Sequence, residues 1–273
     1  MIEYKGQNLK FENMINQVIC GNCLKVMKYI PDESIDLVVT SPPYDELRDY
    51  DGYIFNFEQI AIELFRVVKD NGVVVWVVGD ATKDGSETGT SFKQALFFKE
   101  CGFNLHDTMI YQKNGMSMPD TVRYYQNFEY MFVFSKGRPK HINLLKDKMN
   151  RWAGESSFGN VSSRGKDGKL KVRDKIITNK YGVRFNVWQY KTGFGYSTKD
   201  EIAFRHPAIF PEALALDHIM SWSNNESLVL DIFNGSGTTI KMAKFSGRKF
   251  IGIDIAKKYC EIAERRLAQE YLF

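Results

Sequence analysis

The chain is poor in the residues that build cross-links, metal sites or membrane spans. Only four cysteines occur in 273 residues, at positions 20, 23, 101 and 260. Scattered in this way they form no disulfide framework, and a reducing compartment is the default. Cys20 and Cys23 have ligand-like spacing, but no second pair follows to complete a zinc site, so no metal is assigned. No apolar run approaches the roughly 18–20 residues that span a bilayer. The opening MIEYKGQNLK has no apolar stretch of signal-peptide type, and the expected location is the cytoplasm.

What is present is ordinary for a globular protein: 44% hydrophobic and 26% charged residues. The length suits one large α/β domain with an insertion, or two small domains. The net charge of +4 is unevenly spread. Between Arg138 and Asp200 there are 15 Lys or Arg against 5 Asp or Glu, so this segment carries +10 and the remainder −6. A basic segment on an otherwise acidic chain points to a polyanionic partner, although a solvated basic loop region has the same composition.

Patterning alternates strands with helices. Gln17–Cys23 reads as a short strand and turn, followed by a helix over Leu24–Tyr29 and a β-branched strand over Ile35–Val39. Apolar spacing predicts a helix over Phe57–Lys69, and Val73–Val78 is a strand buried on both faces, ending at Gly79-Asp80. A helix over Thr90–Cys101 and a strand hairpin over Leu105–Gln112 and Glu129–Ser135 follow. Beyond the basic segment come a helix over Ala213–Trp222, a strand ending at Asp231, a helix over Ile240–Phe245, a strand over Lys249–Asp254 and a helix over Lys257–Gln269. This order favours a doubly wound, mostly parallel sheet.

The Ile35–Val39 strand runs into Thr40-Ser41-Pro42-Pro43-Tyr44. Ligands of open α/β sheets bind outside the carboxyl ends of the strands, where this turn lies. It offers a hydroxyl, prolines with carbonyls but no N–H, and an aromatic ring. That set suits a planar base with an exocyclic amino group: Ser41 and the Pro42 carbonyl accept from the amino group, and Tyr44 stacks on the ring. Residues 45–53 then form a polar, aromatic loop, either closing on a substrate or simply solvated.

The second motif is Leu228-Val229-Leu230-Asp231-Ile232-Phe233-Asn234-Gly235-Ser236-Gly237-Thr238-Thr239, an apolar strand, a Gly-x-Gly turn and a helix start. Glycines admit close approach of a ligand, and a helix amino terminus offers N–H groups to a carboxylate. The next strand ends in Asp254, placed to bind ribose hydroxyls as in nucleotide folds. The turn lacks the third glycine of a dinucleotide fingerprint and the lysine of a phosphate loop. His206 by itself reads as a capping or packing residue.

The tetrapeptide Ser41-Pro42-Pro43-Tyr44, the Phe233–Thr239 turn with Gly252-Ile253-Asp254, and His206-Pro207-Ala208-Ile209-Phe210-Pro211 together resemble the amino-methylating DNA methyltransferases. The order, catalytic tetrapeptide first and cofactor motif last, resembles their β group and covers nearly the whole chain outside residues 138–200. The resemblance implies a Rossmann-like methyltransferase fold, α/β, mostly parallel with one antiparallel strand, plus an inserted basic recognition region. Residues 1–137 and 201–273 would be its catalytic-motif and cofactor-binding halves, with 138–200 as the target-recognition region.

The cofactor implied is S-adenosylmethionine, with contacts from Asn22, His206, Pro207, Ala208, Phe210, Asp231, Phe233, Gly235, Ser236, Gly237, Thr238 and Asp254. His206–Phe210 would border its methionine end. Asn22 stands where relatives often carry Asp near the adenine, which leaves that contact open. The partner implied is duplex DNA, with a cognate restriction endonuclease and a homodimer by analogy. Ser-Pro-Pro-Tyr in this family most often accompanies N4-cytosine methylation, with N6-adenine as the alternative. No cysteine follows a proline, so the C5-cytosine nucleophile is missing. An RNA or protein amide methyltransferase, and a catalytically silent cofactor-binding module, are the other readings to separate.

Overall fold

The computed structural model describes residues 1–43, 55–115, 121–157, 162–172 and 175–269. They divide into a main unit, Met1–Asn143 with Asn186–Phe273, and a small unit, Leu144–Phe185. The main unit is built on a nine-stranded sheet. In chain order its strands are β1 (Ile2–Glu3), β2 (Gln17–Cys20), β3 (Ile35–Thr40), β4 (Val68–Val78), β5 (Asn104–Lys113), β6 (Phe128–Ser135), β7 (Val187–Tyr190), β8 (Leu228–Asp231) and β9 (Lys249–Asp254). They lie side by side as β1-β2-β9-β8-β3-β4-β6-β5-β7. Only β6 runs against its neighbours, β4 and β5; every other pairing is parallel. The expected mostly parallel sheet with one antiparallel strand is therefore present.

Helices α1 (Cys23–Met27), α2 (Phe57–Val67), α3 (Thr90–Glu100), α4 (Glu212–Trp222), α5 (Thr238–Phe245) and α6 (Lys257–Leu267) cover the sheet. With both faces covered, the central strands become continuous apolar runs, as in Val73–Val78, whose six side chains are all buried. α2 ends two residues earlier than its periodicity predicts, because Val68 adopts an extended backbone and begins β4. The core on one side is aromatic: Phe57 and Phe98 pack edge-on at 5.4 Å, Trp76 meets Phe98 at 5.1 Å, and Phe98 stacks on Phe134 at 4.5 Å. Trp76 satisfies its one donor by giving it to Gln94 Oε1 at 2.8 Å.

Leu144–Phe185 is one long irregular hairpin. Its antiparallel pairs are nested: Lys148–Met149 with Tyr181–Gly182, Ser156–Ser157 with Ile176–Ile177, and Ser162–Arg164 with Leu170–Val172. Residues 165–169 form the tip, closed by Gly165 N–H donating to the Lys169 carbonyl at 2.9 Å. None of its described residues is buried. The segment bounded by composition at 138 and 200 is wider than this unit, since Val187–Tyr190 is a strand of the main sheet. Among the described residues no helix is long and apolar enough to cross a membrane, and no cluster of three His, Cys, Asp or Glu side chains could hold a metal ion.

Candidate active site

Parallel strands bring their carboxyl ends to one edge. β2 ends at Cys20, β9 at Asp254, β8 at Asp231, β3 at Thr40 and β4 at Val78, and these five are consecutive neighbours in the sheet. The turns that follow them carry Asn22, the Gly235–Gly237 loop and Ser41-Pro42-Pro43. Two motifs nearly 200 residues apart in sequence thus stand on adjacent strands, β3 and β8.

Buried hydroxyls join them. Thr40 Oγ1 donates to Asp231 Oδ1 at 2.7 Å, and Thr239 Oγ1 donates to the Val39 carbonyl at 3.1 Å. Pro42 is buried, and Ser41 and Pro43 are half-buried beside this seam. Tyr44, and the loop that follows it to residue 54, lie outside the described residues.

Asp231 is 2% exposed, and its carboxylate accepts from Thr40 Oγ1 at 2.7 Å and from the Phe233 N–H at 3.1 Å. Burial pushes its carboxyl up to about 6, against the opposing pull of these donors. It sets the start of the glycine turn and ties that turn to β3. Asp254 takes the Gly235 N–H and the Ala256 N–H, each at 2.8 Å, which fixes its carboxylate at the mouth of the loop. Burial raises its pKa as well, with the two amides acting in the opposite direction.

Gly235 and Gly237 both have positive φ, +49° and +82°. A Cβ on Gly235 would lie 2.9 Å from His206 Nε2, and one on Gly237 would lie 2.8 Å from the Ala263 Cβ. The first glycine therefore lets the His206 wall close on the loop, and the second lets α6 pack beneath it. His206 is held by an Nδ1 contact of 2.6 Å with the Ala208 carbonyl and by an edge-on contact of 4.2 Å with Tyr259. Pro207 and Ala208 are exposed and Phe210 is half-buried. Phe233 is half-buried, edge-on to Phe55 at 5.7 Å. Asn22 caps α1, accepting from the Lys25 N–H at 3.2 Å, one residue beyond Gly21, whose N–H donates to the Asp254 carbonyl at 2.8 Å.

Sequence reasoning missed Thr40 and Thr239, and it missed a buried ionic group below the loop. Arg266 of α6 is fully buried and Lys241 is 3% exposed. Arg266 donates to the Ser236 carbonyl at 2.8 Å and to Ser236 Oγ and Thr238 Oγ1 at 3.1 Å. It also donates to Asp200 Oδ2 at 3.0 Å and Glu212 Oε1 at 2.6 Å. Lys241 Nζ lies 2.5 Å from both of these carboxylates. Ser236 and Thr238 are therefore engaged by Arg266 from below. The one signal was spacing, because Arg266 follows the buried Cys260 and Ala263 at helical intervals.

The hairpin unit carries 11 Lys or Arg against 4 Asp or Glu. Its cations lie over its rings: Lys148 over Phe185 at 4.3 Å, Arg151 over Trp152 at 5.1 Å and Lys180 over Tyr181 at 5.4 Å. Trp152, Phe185 and Met149 are respectively 56%, 68% and 70% exposed.

This sheet, with the Ser41-Pro42-Pro43 turn beside a glycine loop and a strand-end acid, has the arrangement expected of the amino-methyltransferase class. The family of N6/N4 methyltransferases, described as DNA methylase, matches residues 35–265, and the chain belongs to it. The chain is 59% identical over 239 residues to the orphan methyltransferase M.BamHII of Bacillus amyloliquefaciens, covering 87% of this chain and 90% of that one. Its fold is similar to that of PvuII DNA methyltransferase (cytosine-N4-specific), with a TM-score of 0.67, 21% identity, and coverage of 94% and 87%. It is also similar to the complex of M1.HpyAVI with S-adenosylmethionine, with a TM-score of 0.61, 23% identity, and coverage of 93% and 99%. The protein is a DNA methyltransferase of this family.

Proposed function

We propose that this enzyme methylates the N4 amino group of a cytosine rotated out of duplex DNA. The observation that supports it most is the Thr40–Asp231 hydrogen bond of 2.7 Å, which fixes the end of the β3 tetrapeptide strand beside the β8 glycine loop. The glycine loop, the His206 wall and the Asp254 carboxylate have the opening, acceptor and donors that S-adenosylmethionine requires: a backbone without Cβ at Gly235, a carboxylate to accept from ribose hydroxyls, and the N–H groups of a helix start. When bound, the cofactor supplies an electrophilic methyl group on a sulfonium.

The chain's own residues do the rest by orientation. An exocyclic amino group is a poor nucleophile because its lone pair is delocalised into the ring. Ser41 Oγ and the Pro42 carbonyl accept its two N–H bonds, draw the nitrogen toward tetrahedral geometry and localise the pair on the face turned to the methyl group. The methylated nitrogen then loses a proton to water, and no strong base is required. The amino group is inaccessible inside a duplex, so the nucleotide is flipped, and Tyr44 stacks on the extruded ring.

The basic hairpin 144–185 is the target-recognition element, within the wider segment 138–200. It has no buried residue among those described, and a two-stranded ribbon is by itself marginal in water, so DNA offers surface for it to pack against. Its lysines and arginines neutralise phosphates, while its aromatic side chains meet sugars and bases.

The neutral Ser41 favours cytosine, and N6 of adenine is the second reading. A cytoplasmic location, a homodimer and a cognate endonuclease belong to the proposal by family analogy; the word orphan in the relative's name bears against the endonuclease. Tritium transfer from labelled cofactor to duplex DNA, RNA and protein tests the class. Ser41→Ala and Tyr44→Ala should each lose about 100-fold in transfer while leaving cofactor binding intact. Full activity in Ser41→Ala would refute the role of its hydroxyl.

A further inference from the structure

Arg266, Lys241, Asp200 and Glu212 form a four-charge group that is neutral overall, with both cations buried and the two carboxylates partly exposed. Burying two cations against two carboxylates is expensive unless every donor and acceptor is paired. Here the pairing is extensive, and it is asymmetric in a telling way. Beyond its two carboxylates, Arg266 spends one terminal nitrogen, Nη1, entirely on the glycine loop: the Ser236 carbonyl, Ser236 Oγ and Thr238 Oγ1.

The carboxylates belong to a different wall. Asp200 and Glu212 bracket the stretch that carries His206. Thr198 stitches the two ends of that stretch together, its Oγ1 donating to Glu212 Oε1 at 2.8 Å and accepting from the Asp200 N–H at 3.0 Å. The Glu212 N–H donates to the Ser197 carbonyl at 2.9 Å. His206 then leans on Gly235, with Nε2 within 2.9 Å of where a Cβ would stand. One planar guanidinium, bonded in both directions, thus sets the spacing between the glycine loop and the His206 wall. Lys241, on the first turns of α5, bonds both carboxylates and supplies the second positive charge.

We infer that Arg266 is a positioning residue for the cofactor: it sets S-adenosylmethionine affinity, without touching the cofactor, by locking these two walls at binding distance. The inference rests on the assignment of this loop as the cofactor pocket under Proposed function. It explains why arginine stands there. A lysine in its place is a point charge without a fork, and it cannot serve the loop and two carboxylates at once.

Isothermal titration of the purified protein with S-adenosylmethionine tests this in Arg266→Lys, Arg266→Met and Asp200→Asn. Arg266→Met should raise the Kd at least about tenfold, the scale on which removing one charge-assisted hydrogen bond weakens a binding surface. Arg266→Lys should fall between Met and wild type. In steady state the KM for the cofactor should rise while the KM for DNA stays put. Leu64→Ala, a cavity in the core on α2, is the control for loss of stability alone, and it should leave the Kd unchanged. Asp254→Ala is titrated in parallel. If Asp254→Ala weakens binding but folded Arg266→Lys and Asp200→Asn bind within twofold of wild type, the inference is overturned and the pocket assignment stands. If Asp254→Ala also binds normally, the assignment falls with it.

Discussion

Asp231 gives the sharpest prediction, because its cost and its use are both visible. Its carboxyl is pushed up to about 6 by burial, against an ordinary value of 3.8. A carboxyl with a raised folded pKa binds its proton more tightly in the folded state. Stability from this group is therefore full below pH 3.8 and is lost as pH rises through about 6. The loss is about 3 kcal/mol, from roughly two pKa units at 1.36 kcal/mol each.

Asp231→Asn removes the titration while keeping an oxygen to accept from Thr40 and the Phe233 N–H. Its new N–H can donate to Thr239 Oγ1, whose own proton goes to the Val39 carbonyl. The variant should match wild type near pH 4 and gain on it progressively up to about pH 7, reaching an advantage of about 3 kcal/mol, which is about 6–12 °C in Tm for a chain of this size. Urea denaturation of wild type and variant at half-unit pH steps measures it. A difference independent of pH between 4 and 7 would refute the reasoning, and so would an advantage over wild type that is smaller at pH 8 than at pH 4.5.

Thr40→Val removes the donor to Asp231 while keeping the shape, and should cost about 1–3 kcal/mol at pH 8. In the Asp231→Asn background the cost should be smaller, which a double-mutant cycle would reveal. Gly235→Ala places a methyl group 2.9 Å from His206 Nε2 at a φ of +49°. Cofactor affinity should drop about tenfold or more, and His206→Ala in the same chain should restore part of it; titration calorimetry decides. Replacing Lys166 and Lys169 at the hairpin tip, and Lys171 beside it, with glutamine should shrink the salt dependence of DNA binding by about 0.9 in log–log slope for each phosphate no longer neutralised. An unchanged slope would remove the tip from the interface.

Much of the fold is legible in the residues, because the physics that makes its elements is local. β-branched runs such as Val73–Val78 read as buried strands, and Gly235 and Gly237 mark a turn that other residues strain to make. The seam between the motifs is not local. Nothing in Thr40 or Asp231 announces a partner 191 residues away, and the hydrogen bond exists only once β3 and β8 pair. Val187–Tyr190 was hidden for a different reason: a four-residue strand with one buried side chain, Trp188, is too short for periodicity. Arg266 and Lys241 escaped because composition puts cations at the surface, and only the register with Cys260 and Ala263 argued otherwise.

The central claim, amino-group methylation of DNA with Ser41 as acceptor, is tested most directly by the product. Unmodified genomic DNA is incubated with enzyme and S-adenosylmethionine, digested to nucleosides and analysed by mass spectrometry. The account predicts N4-methylcytosine, formed about 100-fold more slowly by Ser41→Ala. N6-methyladenine in its place would contradict the assignment of the base, and no methylated nucleoside from a cofactor-saturated enzyme would contradict the account itself.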